Sequence, residues 1–367
     1  MRRAVVILAM AAACAGAPAE PGSSESSTAN AIDSSAGGSE TRDADSSSSS
    51  SATTLADGSG DGDGSESSTG VALLGPPYPI VLVHGFFGFD ELAGIDAATY
   101  FFGVVERLEQ DGELEVHTPA LDPFNDSTVR GLQLLDEVQL VLAASGHAKV
   151  NLVGHSQGGL DARVVASLRP DLVASVTTIA TPHHGTPVAD IVLGVVPDPQ
   201  AQALADALAQ LIGGALWSEL DANSSVATAL AQLTTAGVAT FNATYPDAPG
   251  VPYRSFAGRS SLAGHDSACV VDDAPTWITA WNDTRDPVDS GLALTASVLS
   301  GSLLDPAPND GLVRAIDARW GDFRGCVPAD HLDEIGQLFG DGPGLGNGWS
   351  HLELYASIVA ELRADGF

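Results

Sequence analysis

The run Val150-Asn-Leu-Val-Gly-His-Ser-Gln-Gly-Gly159 admits few backbones. A short aliphatic segment ends at Gly154, Ser156 stands between two glycines, and residues 161–168 carry the pattern of a following helix. A strand that bends sharply into a helix at a serine lifts the hydroxyl out of the fold, where it can serve as a nucleophile. Gly154 and Gly158 remove the Cβ atoms that so tight a bend would drive together. In a chain with 40 glycines the bare Gly-x-Ser-x-Gly pattern also arises by accident, so its strand-turn-helix setting carries the inference.

From Pro76 onward, apolar strands alternate with helical stretches. The pattern predicts strands at 80–83, 114–118, 150–154 and 175–180, and helices over 100–110 and 128–145, the latter with Leu132, Leu135, Val138 and Leu142 on one face. Strand and helix in turn, with strands apolar on both sides, predict an α/β fold: a mainly parallel sheet flanked by helices. Functional groups in such a sheet gather at the carboxyl ends of the strands. Three of those ends carry unusual residues: His84-Gly-Phe-Phe-Gly88, Ser156, and Thr181-Pro-His-His-Gly185.

The first 14 residues, with Arg2-Arg3 and then an apolar run from Ala4 to Ala13, fit a secretory signal and are too short to span a bilayer. Ala11-Ala-Ala-Cys14 resembles a bacterial lipoprotein cleavage box, in which Cys14 is acylated and anchors the protein to a membrane. Cleavage after Ala19 is the rival and would release the chain. The protein is therefore expected to be exported, as a cell-surface or outer-membrane lipoprotein or in secreted form. Residues 15–75 are dominated by Ser, Gly, Asp, Glu, Ala and Thr, too few large apolar groups to offset the entropy of ordering, and predict a disordered acidic tether. A coil of that kind spans roughly 40 Å root-mean-square. With a net charge of −32 and a single lysine, Lys149, the composition argues against nucleic acid as a partner. Cys269 and Cys326 are the cysteines left after Cys14. In an oxidising compartment they either pair or stay as two buried thiols.

A serine hydroxyl needs a base, and the base needs a third group to hold its tautomer. Of the nine histidines, His84, His155, His183 and His184 lie beside strand ends and read as polar packing. His117, His147 and His265 have no supporting pattern, and His351 sits on an amphipathic helix over 350–362. His331 lies in a loop near the C-terminus, where hydrolases of this topology carry the base. Their order of serine, acid, histidine puts the acid between Ser156 and His331. Asp310, in Pro308-Asn-Asp-Gly-Leu-Val313, occupies a turn beside an expected strand, although Asn-Asp-Gly is also an ordinary turn signal.

Six segments, taken in order, resemble the Pseudomonas and Burkholderia triacylglycerol lipases. They are Tyr78-Pro-Ile-Val-Leu-Val-His-Gly-Phe86, Lys149-Val-Asn-Leu-Val-Gly-His-Ser-Gln-Gly-Gly159, Pro170-Asp-Leu-Val-Ala-Ser-Val-Thr177, Ile179-Ala-Thr-Pro-His-His-Gly185, Asn309-Asp-Gly-Leu-Val313 and His331-Leu-Asp-Glu-Ile-Gly-Gln-Leu-Phe-Gly340. The resemblance implies an α/β-hydrolase catalytic domain over 76–367 with Ser156 as nucleophile, Asp310 as acid and His331 as base. Backbone amides of Phe86 and Gln157 would form the oxyanion hole. A structural Ca²⁺ is implied, held by Asp286 and Asp333 with carbonyls of Gln337 and Asp341, a set of hard oxygen ligands. Asp341 stands where the family has an apolar residue, which a carbonyl ligand tolerates. A helical lid over about 185–241 is implied as well. There Leu204, Leu208, Leu211 and Ala215, with Ile212 and Leu216 beside them, form a stripe that pattern alone would read as a core helix. The family's disulfide ends shortly after the acid, whereas Cys326 lies near the base, so a bridge between Cys269 and Cys326 would be a variant. The implied substrate is an acylglycerol or other ester at a lipid interface, and many relatives need a lipase-specific foldase. An esterase for shorter or polymeric esters, or a surface lipoprotein that retains the fold only to bind, are the alternatives.

Overall fold

The computed structural model describes residues 72–86, 100–212, 225–260, 267–301, 306–337, 342–344 and 346–367. The signal segment with Cys14, nearly all of the tether, His265, Ala215, Leu216 and Asp341 lie outside them.

Six parallel strands form one sheet in the order β2-β1-β3-β4-β5-β6: β1 Ile80–Val83, β2 Val116–His117, β3 Val150–His155, β4 Val173–Ile179, β5 Tyr253–Gly258 and β6 Asp322–Val327. The helices are α1 Val104–Gln110, α2 Ser127–Ser145, α3 Gln157–Leu168, α4 Pro187–Val192, α5 Ala201–Ile212, α6 Ser225–Leu233, α7 Thr235–Thr244, α8 Thr276–Thr279, α9 Ala293–Ser300 and α10 His351–Ala364. Side chains alternate across the sheet with the strand period. Ile80 and Leu82 join Val153, Ile179 and Phe256 in a core under α1 and α10, while Val81 and Val83 join Leu152, Leu134 and Val165 under α2 and α3. Burial on both faces explains why β1 reads as a continuous apolar run and why β3 and β4 bury every residue, polar ones included.

Departures from the sequence expectations have local causes. The first helix starts at Val104 and not at residue 100, because Gly103 adopts a left-handed φ of 69°. Tyr100 and Phe101 are thereby freed from the helix and turn inward, Phe101 packing edge-on to Tyr355. The second strand shrinks to two residues at the sheet edge, and Leu114 is 91% exposed. In α2 the ends are as the sequence suggests, with Asp126 capping Thr128 and Val129 and Gly146 ending the helix at φ 76°. Its buried face is as expected only in part: Val138 is buried and Leu135 and Leu142 pack against the same core, but Arg130 and Leu134 also point inward and Leu132 is 49% exposed. Arg130 is drawn in by Asp161 on α3, and Gly131 lets the two helices meet against Val164.

Cys269 and Cys326 are bonded, tying a 3-10 turn at Ser267–Cys269 to β6 across 57 residues of chain. In α5, Leu204 is fully buried and Leu208 packs with Val188 of α4 and Leu299 of α9.

The strand-to-helix turn should tolerate no added side-chain atom at Gly158. A Cβ there would lie 2.2 Å from the Val83 carbonyl oxygen, backbone that cannot move aside. Gly158→Ala is expected to lose about 1–3 kcal/mol of stability. An unchanged urea midpoint would show that the turn is looser than its geometry.

Candidate active site at the strand ends

Ser156 is one of two non-glycine residues with positive φ among the described residues, at φ 54° and ψ −128°. Its amide donates to Ile179 O at 2.9 Å, so β4 holds the bend from the neighbouring strand. Serine at a helix N-terminus ordinarily spends its hydroxyl on capping. Ser156 makes no such bond, which leaves Oγ for chemistry. Gln157 opens α3, so its amide is one of the unpaired donors of a helix N-terminus. The Gln157 side chain turns away and donates to Asn125 O at 2.9 Å.

The structure brings Asp310 and His331 together: Nδ1 of His331 lies 2.8 Å from Oδ2 of Asp310, both residues being buried. The other carboxylate oxygen accepts from the amides of Leu312 and Val313 at 2.8 and 2.6 Å, and His331 N donates to Asp310 O at 2.9 Å. A carboxylate held by two backbone amides fixes the proton of His331 on Nδ1 and leaves Nε2 as the basic end. Among the described residues no strand flanks Asp310; an isolated bridge between Asn309 and Arg314 closes the turn. The His331 ring packs 4.6 Å from that of His155, the neighbour of Ser156.

Behind these residues runs a second chain of polar contacts that sequence reasoning missed, buried at His155 and Glu334. Tyr100 Oη meets Nδ1 of His155 at 2.7 Å, and Nε2 of His155 meets Oε2 of Glu334 at 2.9 Å. Burial, then the neighbouring His331, drives His155 far below the usual imidazole range. Burial, then the charge of Asp310, drives Glu334 far above the usual carboxylate range. His155, His331 and Glu334 form one cluster of close ligand-type atoms. His183 serves packing, as the sequence suggests. It stacks on Trp320 at 5.2 Å, and its Nε2 lies 2.9 Å from Thr178 Oγ1.

Phe86 follows β1 and is half-buried. Arg130 crosses from α2 to this loop, donating to His84 O at 2.6 Å and to Asp122 O at 2.8 Å, while Nε pairs with Asp161 at 2.8 Å. Both members of that ion pair are inaccessible to solvent. Arg130 and Asp161 could not be found from the sequence, because nothing local marks which charged residues of two separate helices will meet and be buried as a pair.

Asp286 and Asp333 lie together with a third carboxylate, Asp330, their nearest oxygens all within 4.8 Å of one another. Both oxygens of Asp286 are buried without a hydrogen-bond partner. Asp330 spends its oxygens on the amides of Leu332, Asp333 and Asp289, so it braces the loop and adds charge. Burial first, then the neighbouring carboxylates, pushes Asp333 up to about 8; burial pushes Asp286 up to about 7. Buried carboxylate oxygens lacking donors are the setting a hard cation suits. Gln337 follows in the same loop, its side chain donating to Tyr100 O at 3.1 Å.

The alpha/beta hydrolase fold family model matches residues 78–254. Over 273 residues the chain is 41% identical to a triacylglycerol lipase of Vibrio cholerae, covering 72% of this chain and 81% of that protein. A triacylglycerol lipase of Burkholderia plantarii is 34% identical over 72% of this chain and 80% of its own length. The lipase structure from Staphylococcus hyicus superposes with a TM-score of 0.53 at 19% identity, covering 80% of this chain and 98% of that one, a likeness of fold.

Removing one partner of the buried Arg130–Asp161 pair leaves an uncompensated charge. Asp161→Asn should lower the unfolding free energy by about 3–5 kcal/mol, measured by chemical denaturation. A change below about 1 kcal/mol would mean that the carbonyls of His84 and Asp122 alone satisfy the guanidinium.

Proposed function

Because this chain belongs to the triacylglycerol lipase family of α/β-hydrolases, we propose that it is an exported lipase cleaving acylglycerols at a lipid–water boundary with Ser156, Asp310 and His331. The broader assignment, a carboxylic ester hydrolase, comes with the family. The observation that carries the finer reading is the Asp310–His331 hydrogen bond at 2.8 Å beside the bent backbone of Ser156.

With Nδ1–H committed to Asp310, Nε2 of His331 takes the proton of Ser156 Oγ as that oxygen attacks the ester carbonyl. Negative charge then grows on the carbonyl oxygen, where amides of Gln157 and Phe86 would receive it. His331 returns its proton to the departing alcohol, and water repeats the sequence on the acyl-enzyme. α5, packed by Leu204 and Leu208, is a lid in its shut position on this reading, opening when a lipid surface offers the same residues apolar contact. The test is turnover of esters of increasing acyl length, each below and above its solubility limit. A lipase accelerates sharply once long-chain esters form an interface; steady decline with chain length instead makes the protein an esterase. Absence of turnover, with no covalent organophosphonate on Ser156, would leave the binding-module alternative standing. Asp310→Asn is expected to lower kcat by roughly 10³–10⁴ while leaving the fold intact, and near-normal turnover would move the acid to another carboxylate.

A calcium ion is part of the proposal. Asp286 and Asp333 would hold it, with the carbonyls of Gln337 and Asp341 as further ligands. It would screen the buried carboxylates and steady the loop that carries His331. In the ion-free protein, carboxyls with raised pKa bind more protons folded than unfolded, so their contribution to stability falls as pH rises through about 7 and 8. Calcium should therefore raise the melting temperature more at about pH 8 than at about pH 6, where protons compete for the same oxygens. An equal shift at both, or one surviving Asp286→Asn, would place the ion elsewhere. Export rests on the first 14 residues, with either acylated Cys14 or cleavage near Ala19 defining the mature end. A lipase-specific foldase is the expected maturation partner.

A further inference from the structure

We propose that His84 is a positioning residue for ester cleavage: its imidazole grips the Gly85 carbonyl and so aims the Phe86 amide at the developing oxyanion. The proposal rests on reading Phe86 as an oxyanion donor.

The proton on His84 is located by its neighbours. The Leu121 amide lies 3.0 Å from His84 Nε2, and a backbone amide only donates, so Nε2 carries the lone pair. The proton is then on Nδ1, which lies 2.9 Å from Gly85 O. That carbonyl belongs to the same peptide group as the Phe86 nitrogen. In a planar trans peptide the C=O and N–H point in opposite directions, so fixing one fixes the other. A donor on the carbonyl also polarises the peptide and strengthens its amide as a donor.

The preceding peptide is held as well: His84 O accepts from Arg130 Nη2 at 2.6 Å. Arg130 Nη2 also approaches His84 Nδ1, but at 3.5 Å, too long to compete with its bond to the carbonyl. Gly85 has no room for a side chain, since a Cβ would fall 2.7 Å from both Ser156 Cβ and Tyr100 Oη. The clamped peptide thus lies against the nucleophile. Burial, then the charge of Arg130, lowers His84 to about 4, which keeps the imidazole neutral and in this one tautomer. A merely structural histidine has no need to direct its proton at this peptide.

The experiment compares three variants of the full chain on a short, soluble ester. His84→Asn keeps a donor at the Nδ1 position, His84→Gln keeps an acceptor at the Nε2 position, and His84→Ala keeps neither. Alanine and glutamine are expected to lower kcat roughly 100-fold, the scale of losing one oxyanion donor. KM should stay within about threefold, the mark of an interaction made in the transition state. His84→Asn should recover at least about tenfold of that loss. If His84→Ala fails to fold, the asparagine–glutamine pair carries the comparison. Equal kcat in that pair, or a raised KM with kcat intact, overturns the proposal while leaving an active wild type and the hydrolase reading in place. A wild type as inert as Ser156→Ala overturns the hydrolase reading, and the proposal with it.

Discussion

The backbone of Ser156 sits in a region that L-residues avoid, at a cost of about 1–3 kcal/mol, and it persists only because its surroundings over-determine it. Three fully buried strands supply that rigidity. β4 takes the Ser156 amide, β1 presses the Val83 carbonyl against Gly158, and Gly159 closes the first turn of α3 back onto Ser156 O at 3.1 Å. Each other part of the site is placed relative to this bend. His331 reaches it across β6 and its following loop, the Gly85 peptide leans on its Cβ, and Gln157 takes its helical position from it. The strain is thus a fixed origin of coordinates, maintained by the packing of the whole sheet.

Charge around that origin is divided by side. The loop after β1 is braced by one cation paired with one anion, Arg130 with Asp161, whereas the loop of His331 borders an excess of carboxylates in Asp286, Asp330, Asp333 and Glu334. His155 stands between the two sides and stays neutral, which spares the site a second cation beside His331. Buried charges and pairs of this kind carry a desolvation cost that their mutual attraction offsets only in good geometry.

Periodicity and turn chemistry located β1, β3, β4, α2, α3 and α10 to within a few residues, since long apolar runs and glycine caps act locally. Local signals could not show that Gly103 would adopt positive φ and release Tyr100 inward, nor that an ion pair would draw Arg130 of α2 inward and leave Leu132 exposed. For the site, Ser156 was legible from its own neighbours. Asp310 stayed ambiguous by pattern, because Asn-Asp-Gly marks turns of every purpose, and only the ordered series of motifs separated it from other aspartates. His84 and His155 read as packing histidines for a simple reason. Their roles depend on which ring nitrogen holds the proton, and that is decided by Leu121, Tyr100 and Glu334, far away in sequence.

The single lysine has a practical corollary. Lys149 immediately precedes β3, and its Nζ bonds Val173 O at 3.3 Å at the amino end of the sheet. Ser156 follows the opposite end of that strand, about 20 Å away at some 3.3 Å of rise per residue. Amine-directed coupling therefore has one side-chain target in the whole polypeptide. A molecule grafted to a solid support through it would be oriented rather than random, with the Ser156 end of the sheet turned toward the bathing solution.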